Sequence, residues 1–536
     1  MITYTNPILR GFNPDPSICR RGEDFYMTVS SFEYLPGLPI YHSKDLIHWE
    51  MIGHALSRPE QMEFENAPTN SGIFAPTFRY HDGWFYIAST NVSRPGAMAP
   101  GGTGNFIIRA KDPAGEWSKP VYVLQNGIDP DLFFDDDGSV YFTSTADLSE
   151  NGVNKSGTQM CRIDIETGEK KTESRIIHYG CGGRYPEAPH ILKKDGWYYL
   201  MQAEGGTDTG HMETIARARD VWGPYTPCPH NPIITARDAN VPPLSGIGHA
   251  DMVQALDGSW WIVFLCSRLS MPYYHHLGRE TALAPMEWED GWPVVNGGRL
   301  PVDKMSVDRE PLWTNEEMAD DVAVPSRHVD FSNGLPREWV SIRKYFNSYE
   351  ICENGIRLRG NQYCLSDRNT PAFFGRRQQD FECRLETCIS FEPLSDNEEA
   401  GIALMHRHDG HYELVVTRRN GARVLLQRRC SGDLVTEKMI DISHLSGNYL
   451  CLKIVADRYN YEFFYKTGKQ SGGNYESIAA AQTKMLSSEV VGGCMGTWAG
   501  IYASGNGVDC RNAALFTWFE YEILPEKPKR PMYGLE

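Results

Sequence analysis

The sequence predicts an all-β protein, with a five-bladed β-propeller in residues 1–320 and a β-sandwich in residues 321–536. Three observations carry that prediction. A strand–turn–strand unit recurs five times before residue 320. Four of the five copies turn at Asp-Gly, the strongest short hairpin signal. Past residue 320 the recurrence stops, and alternating short strands follow with little helical pattern.

The five units begin "DPSICRRGEDFYMTVSS" at Asp15, "APTFRYHDGWFYIAST" at Ala75, "DPDLFFDDDGSVYFTST" at Asp129, "APHILKKDGWYYLMQA" at Ala188 and "ADMVQALDGSWWIVFL" at Ala250. Each is a short anchor, a strand-like run, a turn and an aromatic-rich strand. In the last four the turn aspartate (Asp82, Asp137, Asp195, Asp257) falls 7, 8, 7 and 7 residues after the anchor. The anchors stand 60, 54, 59 and 62 residues apart, which is room for one four-stranded blade. A second marker falls late in three units: Lys44-Asp45 before Trp49, Lys111-Asp112 before Trp117, and Arg219-Asp220 before Trp222. Units that bury little alone must stack, and five closing on an axis is the economical solution. The later runs, among them "FECRLETCISF", "GHYELVVTRR" and "YLCLKIVADRYNYEFFYK", alternate as sandwich strands do.

Composition limits the partners. With 52 basic against 69 acidic residues the net charge is −17, which disfavours nucleic acid or an anionic membrane surface. A long apolar run, "WWIVFLC" from Trp260, has only strand length, and the start "MITYTNPILR" has no signal-peptide pattern. The 13 cysteines are scattered without a C-x-x-C pair, a pattern of reduced buried thiols, so the expected location is cytoplasmic. No Gly-rich phosphate loop or basic cluster points to a nucleotide.

A repeat allows equivalent positions to be compared. The anchors are Asp15, Ala75, Asp129, Ala188 and Ala250, and the residues before them Pro14, Phe74, Ile128, Glu187 and His249. Blade closure needs only small or apolar residues there, as the alanines show. Two aspartates, a glutamate and a histidine are therefore surplus to folding. Asp15 also lies between two prolines in "NPDPS", which restricts its backbone from both sides and pushes it toward extended geometry. Taken singly, Asp129 reads as a turn cap and His249 as a core histidine. Gathered at one end of a central channel, carboxylates repel and desolvate one another, which separates their pKa values. Two carboxyl groups in different proton states are what glycoside hydrolysis requires.

The motifs "NPDPS", "SSFEYLPGLPIYHSKDLIHW", "IDPDLFFDDDG", "YPEAPHI", "EGGTDTGHMETIARA", "GIGHADMV" and "LGRET" closely resemble glycoside hydrolase family 43, in its branch of two-domain β-xylosidases and α-L-arabinofuranosidases. The resemblance covers almost the whole chain, and implies a concanavalin-like (jelly-roll) sandwich. It also implies inverting hydrolysis, with Asp15 as general base, Glu187 as general acid and Asp129 as the residue that orients Glu187 and raises its pKa. An inverting pair stands about 6.5–9.5 Å apart to admit water. Arg279 matches the family arginine that contacts sugar hydroxyls and carboxylates. His249 matches the central histidine, which in some members faces a calcium ion or water; no other cofactor is expected. Phe32 is expected to form one wall of the sugar site and Phe74 the facing one, where many β-xylosidases of the branch carry tryptophan. In the sandwich, Trp498 or Met495 of "GGCMGTWAGIY" is the expected pocket contact, and a homo-oligomer (dimer or tetramer) the expected assembly.

The resulting expectation is an exo-acting β-xylosidase on xylo-oligosaccharides, with α-L-arabinofuranosidase or both activities as the alternative. Two other classes fit less well. The retaining invertases and fructosidases need Asn-Asp-Pro and Arg-Asp-Pro motifs, which are absent. A non-catalytic lectin has no need of a base, an acid and a pKa modulator together.

Overall fold

The computed structural model of the chain describes residues 1–93, 104–148, 155–240, 242–271, 273–310, 327–445 and 447–527. It divides into two compact units, one of Met1–Glu63, Ser71–Arg268 and Arg279–Ala319, the other of Phe64–Asn70, Leu269–Gly278 and Asp320–Glu536. The domain boundary expected at residue 320 lies outside the described residues.

The first unit is a five-bladed propeller. Its innermost strands are Ser17–Arg21, Thr77–His81, Ile128–Phe134, Glu187–Lys194 and Ser245–Gln254, and each opens an antiparallel sheet that runs outward in sequence order. Asp-Gly turns make two of the inner hairpins. Asp82 and Gly83 have φ 49° and 80°, Asp195 and Gly196 φ 50° and 73°, as a two-residue turn matched to strand twist requires. Apolar residues between neighbouring blades supply the packing, for example Tyr199, Ile215, Phe264 and Trp292 between blades four and five.

The N-terminal segment closes the ring. Ile2–Thr5 pairs with Lys304–Val307, and Leu9 and Thr281 exchange backbone hydrogen bonds. Asn6 both donates to the Leu283 carbonyl and accepts from its N–H, each at 2.9 Å, imitating a strand pair with its side chain. Asn13 N–H then donates to the Arg279 carbonyl at 2.9 Å, so the chain reaches Asp15 already fastened to blade five.

The second unit is a sandwich. One sheet carries Ala372–Arg377, Trp498–Ser504, Glu399–Arg407, Gly410–Arg419, Ala422–Ser431 and Leu434–Asp441 in spatial order. The other is centred on Ala514–Ile523, Cys383–Ser390, Leu450–Ala456 and Asn460–Thr467. Inward-facing Leu404, Leu414, Leu452, Phe463 and Phe516 fill the space between them. Among the described residues, no helix is long and apolar enough to cross a membrane.

Candidate active site

One backbone device places the functional side chains. Asp15, Asp129, Ala188 and His249 have φ 56°, 53°, 50° and 48°, in a region that non-glycine residues seldom occupy. Where the strand pairing is defined, the register slips here, between Ile128 and Asp131, Glu187 and His190, and Gly248 and Ala250. Such a bulge inserts one residue and re-aims its side chain.

Two sequence readings are corrected by this. Asp15 is left-handed rather than extended, because the hydrogen bonds to its carboxylate and from Ser30 N–H to the Pro14 carbonyl (3.1 Å) over-determine the turn. In blade five the counterpart of Asp15 is His249 rather than Ala250, since the extra residue of the bulge shifts the count by one.

Asp15 is buried, and its Oδ1 accepts from Arg279 Nη1 at 2.6 Å while its Oδ2 accepts from Ser30 Oγ at 2.5 Å. Burial opposes ionisation, but the Arg279 guanidinium, then His249 and the Ser30 hydroxyl, outweigh it and hold the carboxyl below the usual range. Among the described residues no cation pairs with Glu187 in the same way. Burial, then the charge of Asp15, push its carboxyl up to about 7 against the opposing pull of Arg279. Asp129 is likewise raised well above the ordinary value, by burial first and the charges of Glu187 and Asp15 next. It accepts from the N–H of Ala188, the residue after Glu187, and so fixes the acid's backbone. The charges of Asp129 and Glu187 oppose one another, and the charge of Asp15 raises both.

His249 Nδ1 lies 3.6 Å from Asp15 Oδ1, and burial drives its pKa down to about 3, so the imidazole is neutral at physiological pH. Arg279 Nη1 also donates to Thr207 Oγ1 at 3.4 Å. Phe32 and Phe74 are both present, but their centroids are 5.0 Å apart with planes tilted by 43°. That is direct ring contact, so they form one continuous apolar wall rather than facing walls with a sugar between them. Phe12, fully buried with its centroid 5.4 Å from Phe32, packs behind it, and the Arg279 guanidinium carbon stands 5.5 Å from the Phe32 centroid. Trp498 is fully buried at the start of its sandwich strand, with the Arg377 guanidinium carbon 4.6 Å from its ring centroid; Met495 is also fully buried.

Several contributors escaped the sequence reading. Ser30 and Thr207 lie in ordinary-looking loops. His211 is buried with Nδ1 3.1 Å from the Gly246 carbonyl, its pKa lowered to about 4, chiefly by burial. Glu204 ties down the loop before Glu187, accepting from Cys181 N–H at 2.6 Å and from Gly183 N–H. A polar residue two positions after four of the anchors, Ser17, Thr77, Asp131 and His190, was the available signal for a further buried polar ring, which Asp251 completes one residue after Ala250.

The calcium ion implied near His249 is tested by the donor set. Calcium takes about six to eight oxygen ligands. Here Asp131 and Asp251 are engaged by Arg79, and Asp15 by Arg279. The buried channel atoms without a protein partner include the imidazole nitrogens His190 Nε2 and His211 Nε2, which suit softer metals. Among the described residues no group of three or more His, Cys, Asp or Glu converges to hold a metal. The residues present do not fit a directly ligated calcium ion.

Residues 4–293 match the Glycosyl hydrolases family 43. The chain belongs to that family. Residues 328–522 match the Beta xylosidase C-terminal Concanavalin A-like domain. The family 43 chain is 40% identical to the non-reducing end alpha-L-arabinofuranosidase BoGH43B of Bacteroides ovatus, over 97% of this chain and 95% of that one. It is 36% identical to a xylosidase/arabinosidase of Butyrivibrio fibrisolvens, over 97% and 100%. The solved structure described as Bacteroides ovatus xyloglucan PUL GH43B superposes with a TM-score of 0.88 at 39% identity, over 98% of this chain and all of that one. The protein is thus a glycoside hydrolase of the β-xylosidase/arabinofuranosidase kind, exo-acting on carbohydrate.

Proposed function

We propose that this hydrolase removes terminal pentoses with inversion of configuration, acting on both α-L-arabinofuranosides and β-D-xylosides, the furanosides first. The observation that carries the mechanism is the opposite treatment of two carboxyls. Asp15 is held ionised by Arg279, and Glu187 is held protonated by burial and by the charge of Asp15. Asp15 takes a proton from water as it attacks the anomeric carbon. Glu187 gives its proton to the departing glycosidic oxygen. Asp129 orients the acid through Ala188, and the Phe32–Phe74 wall receives the C–H face of the sugar.

The order of substrates departs from the sequence reading, which put xylose first. Support for the furanoside comes from the name of the relative at 40% identity, and support for both activities from the name of the relative at 36%. The cysteine thiols, mostly buried, fit a reducing cytoplasm, and the resemblance supports a homo-oligomer, which light scattering would weigh.

Parallel rates on 4-nitrophenyl α-L-arabinofuranoside and 4-nitrophenyl β-D-xylopyranoside test this reading. Turnover of both, with the furanoside kcat/KM higher, is expected. A β-xyloside preference of about tenfold or more, roughly 1.4 kcal/mol, would reverse the order. Binding without turnover of either would restore the lectin.

A further inference from the structure

Two residues inward from the site, the five innermost strands meet on one side chain. Arg79, from blade two, donates through Nη1 to Asp251 Oδ2 at 2.7 Å and to Ser17 Oγ at 3.3 Å, in blades five and one. Through Nη2 it donates to Asp131 Oδ1 at 2.7 Å in blade three and stands 3.0 Å from His190 Nδ1 in blade four. The partners are themselves tied to backbone. Asp131 Oδ2 accepts from Ile191 N–H at 2.8 Å, Asp251 Oδ2 from Ile18 N–H at 3.1 Å, and Ser17 Oγ from Phe78 N–H at 2.8 Å. A single planar cation therefore sets the spacing of all five strands.

Ser17, Asp131 and Asp251 follow Asp15, Asp129 and His249 by two residues, and His190 follows Glu187 by three. Those short links, bent by the bulges, leave little slack between the ring and the carboxylates. The guanidinium also neutralises the buried aspartates nearest the axis, the groups a divalent ion would need.

We propose that Arg79 is the axial cation of this propeller, a positioning residue that holds Asp15, Asp129, Glu187 and His249 at working separations and makes hydrolysis independent of divalent metal. The inference rests on the hydrolase reading above. A bland alternative exists, in which Arg79 only neutralises two buried carboxylates and contributes stability.

The test measures pentoside hydrolysis by the wild type, with and without EDTA, and by three variants checked for folding by circular dichroism and melting. Arg79→Met removes the cation. Arg79→Lys keeps a charge but loses the planar fork. The triple variant Arg79→Met, Asp131→Asn, Asp251→Asn removes cation and charges together, and so guards against misfolding from unpaired aspartates. EDTA should leave wild-type kcat/KM within about twofold, while folded variants lose kcat, about tenfold for Arg79→Lys and about a hundredfold for the others, with KM changed less than about threefold. The basic limb of their pH profiles should also move to lower pH, because Glu187 loses part of its coupling to Asp15. Loss of wild-type activity in EDTA with recovery in calcium would overturn the proposal. So would a folded triple or Arg79→Lys variant with wild-type kcat and pH profile. A wild type that hydrolyses neither pentoside would instead fail the functional reading, a result separable from an active wild type indifferent to Arg79.

Discussion

Asp15 and Glu187 owe their different proton states to what each one touches. Asp15 accepts two short hydrogen bonds, one from a guanidinium, whereas Glu187 meets burial and a neighbouring negative charge. Replacing Asp15 by Ala removes the base, and kcat should fall by about 10³-fold or more on every substrate. Glu187→Gln should discriminate: a nitrophenolate departs with little protonation, so nitrophenyl glycosides should lose much less rate than unactivated oligosaccharides. Equal losses would remove Glu187 from the acid role. The pH profile of kcat/KM should fall on its basic side near pH 7, where Glu187 loses its proton. In Asp129→Asn one negative neighbour is gone, so that limb should move to lower pH; a shift upward would contradict the assignment. The carboxylates were legible in the sequence because a repeat exposes residues its own blades do not need. Ser30 and Thr207 were not, since a hydroxyl in a loop has no pattern until the fold brings it to a carboxylate or guanidinium.

At the level of elements, the bulges and a single glycine shape the site. Gly72 has φ 94°, and a Cβ there would stand 2.2 Å from the Phe32 carbonyl oxygen, which itself accepts from Ile73 N–H at 3.0 Å. Gly72→Ala should therefore cost about 1–3 kcal/mol of stability and raise KM by shifting the aromatic wall, as melting and steady-state kinetics would report. An unchanged KM would detach Phe32 and Phe74 from the sugar. The Asp-Gly hairpins followed from sequence, because turn chemistry is local. The one-residue slip at His249 did not, because a bulge depends on how the paired strand is satisfied. The contact between Phe32 and Phe74 was equally hidden, since ring separation is decided by the reciprocal bonds between Phe32 and Ile73.

On the scale of the molecule, two all-β units with separate cores account for a chain too long for one. The sequence showed where the propeller period ends. It did not show that Phe64–Asn70 and Leu269–Gly278, both within the propeller's stretch of chain, belong to the compact unit of the sandwich. Acid stability is a property of the propeller's axis. Despite burial, Arg79 and then His190 depress the Asp131 carboxyl to about 2. A depressed pKa contributes stability above the unfolded value of about 4 and loses it as pH falls toward 2, here about 2–3 kcal/mol. Denaturant midpoints between pH 5 and 2.5 should therefore fall less steeply in Asp131→Asn than in the wild type.

The most direct test of the central claim is proton NMR of the sugar first released from a β-D-xyloside by the wild type. An inverting enzyme with Asp15 as base and Glu187 as acid gives α-xylose first, with the β-anomer appearing only by mutarotation. Initial release of β-xylose would mean a covalent intermediate and would contradict the roles assigned to both carboxyls.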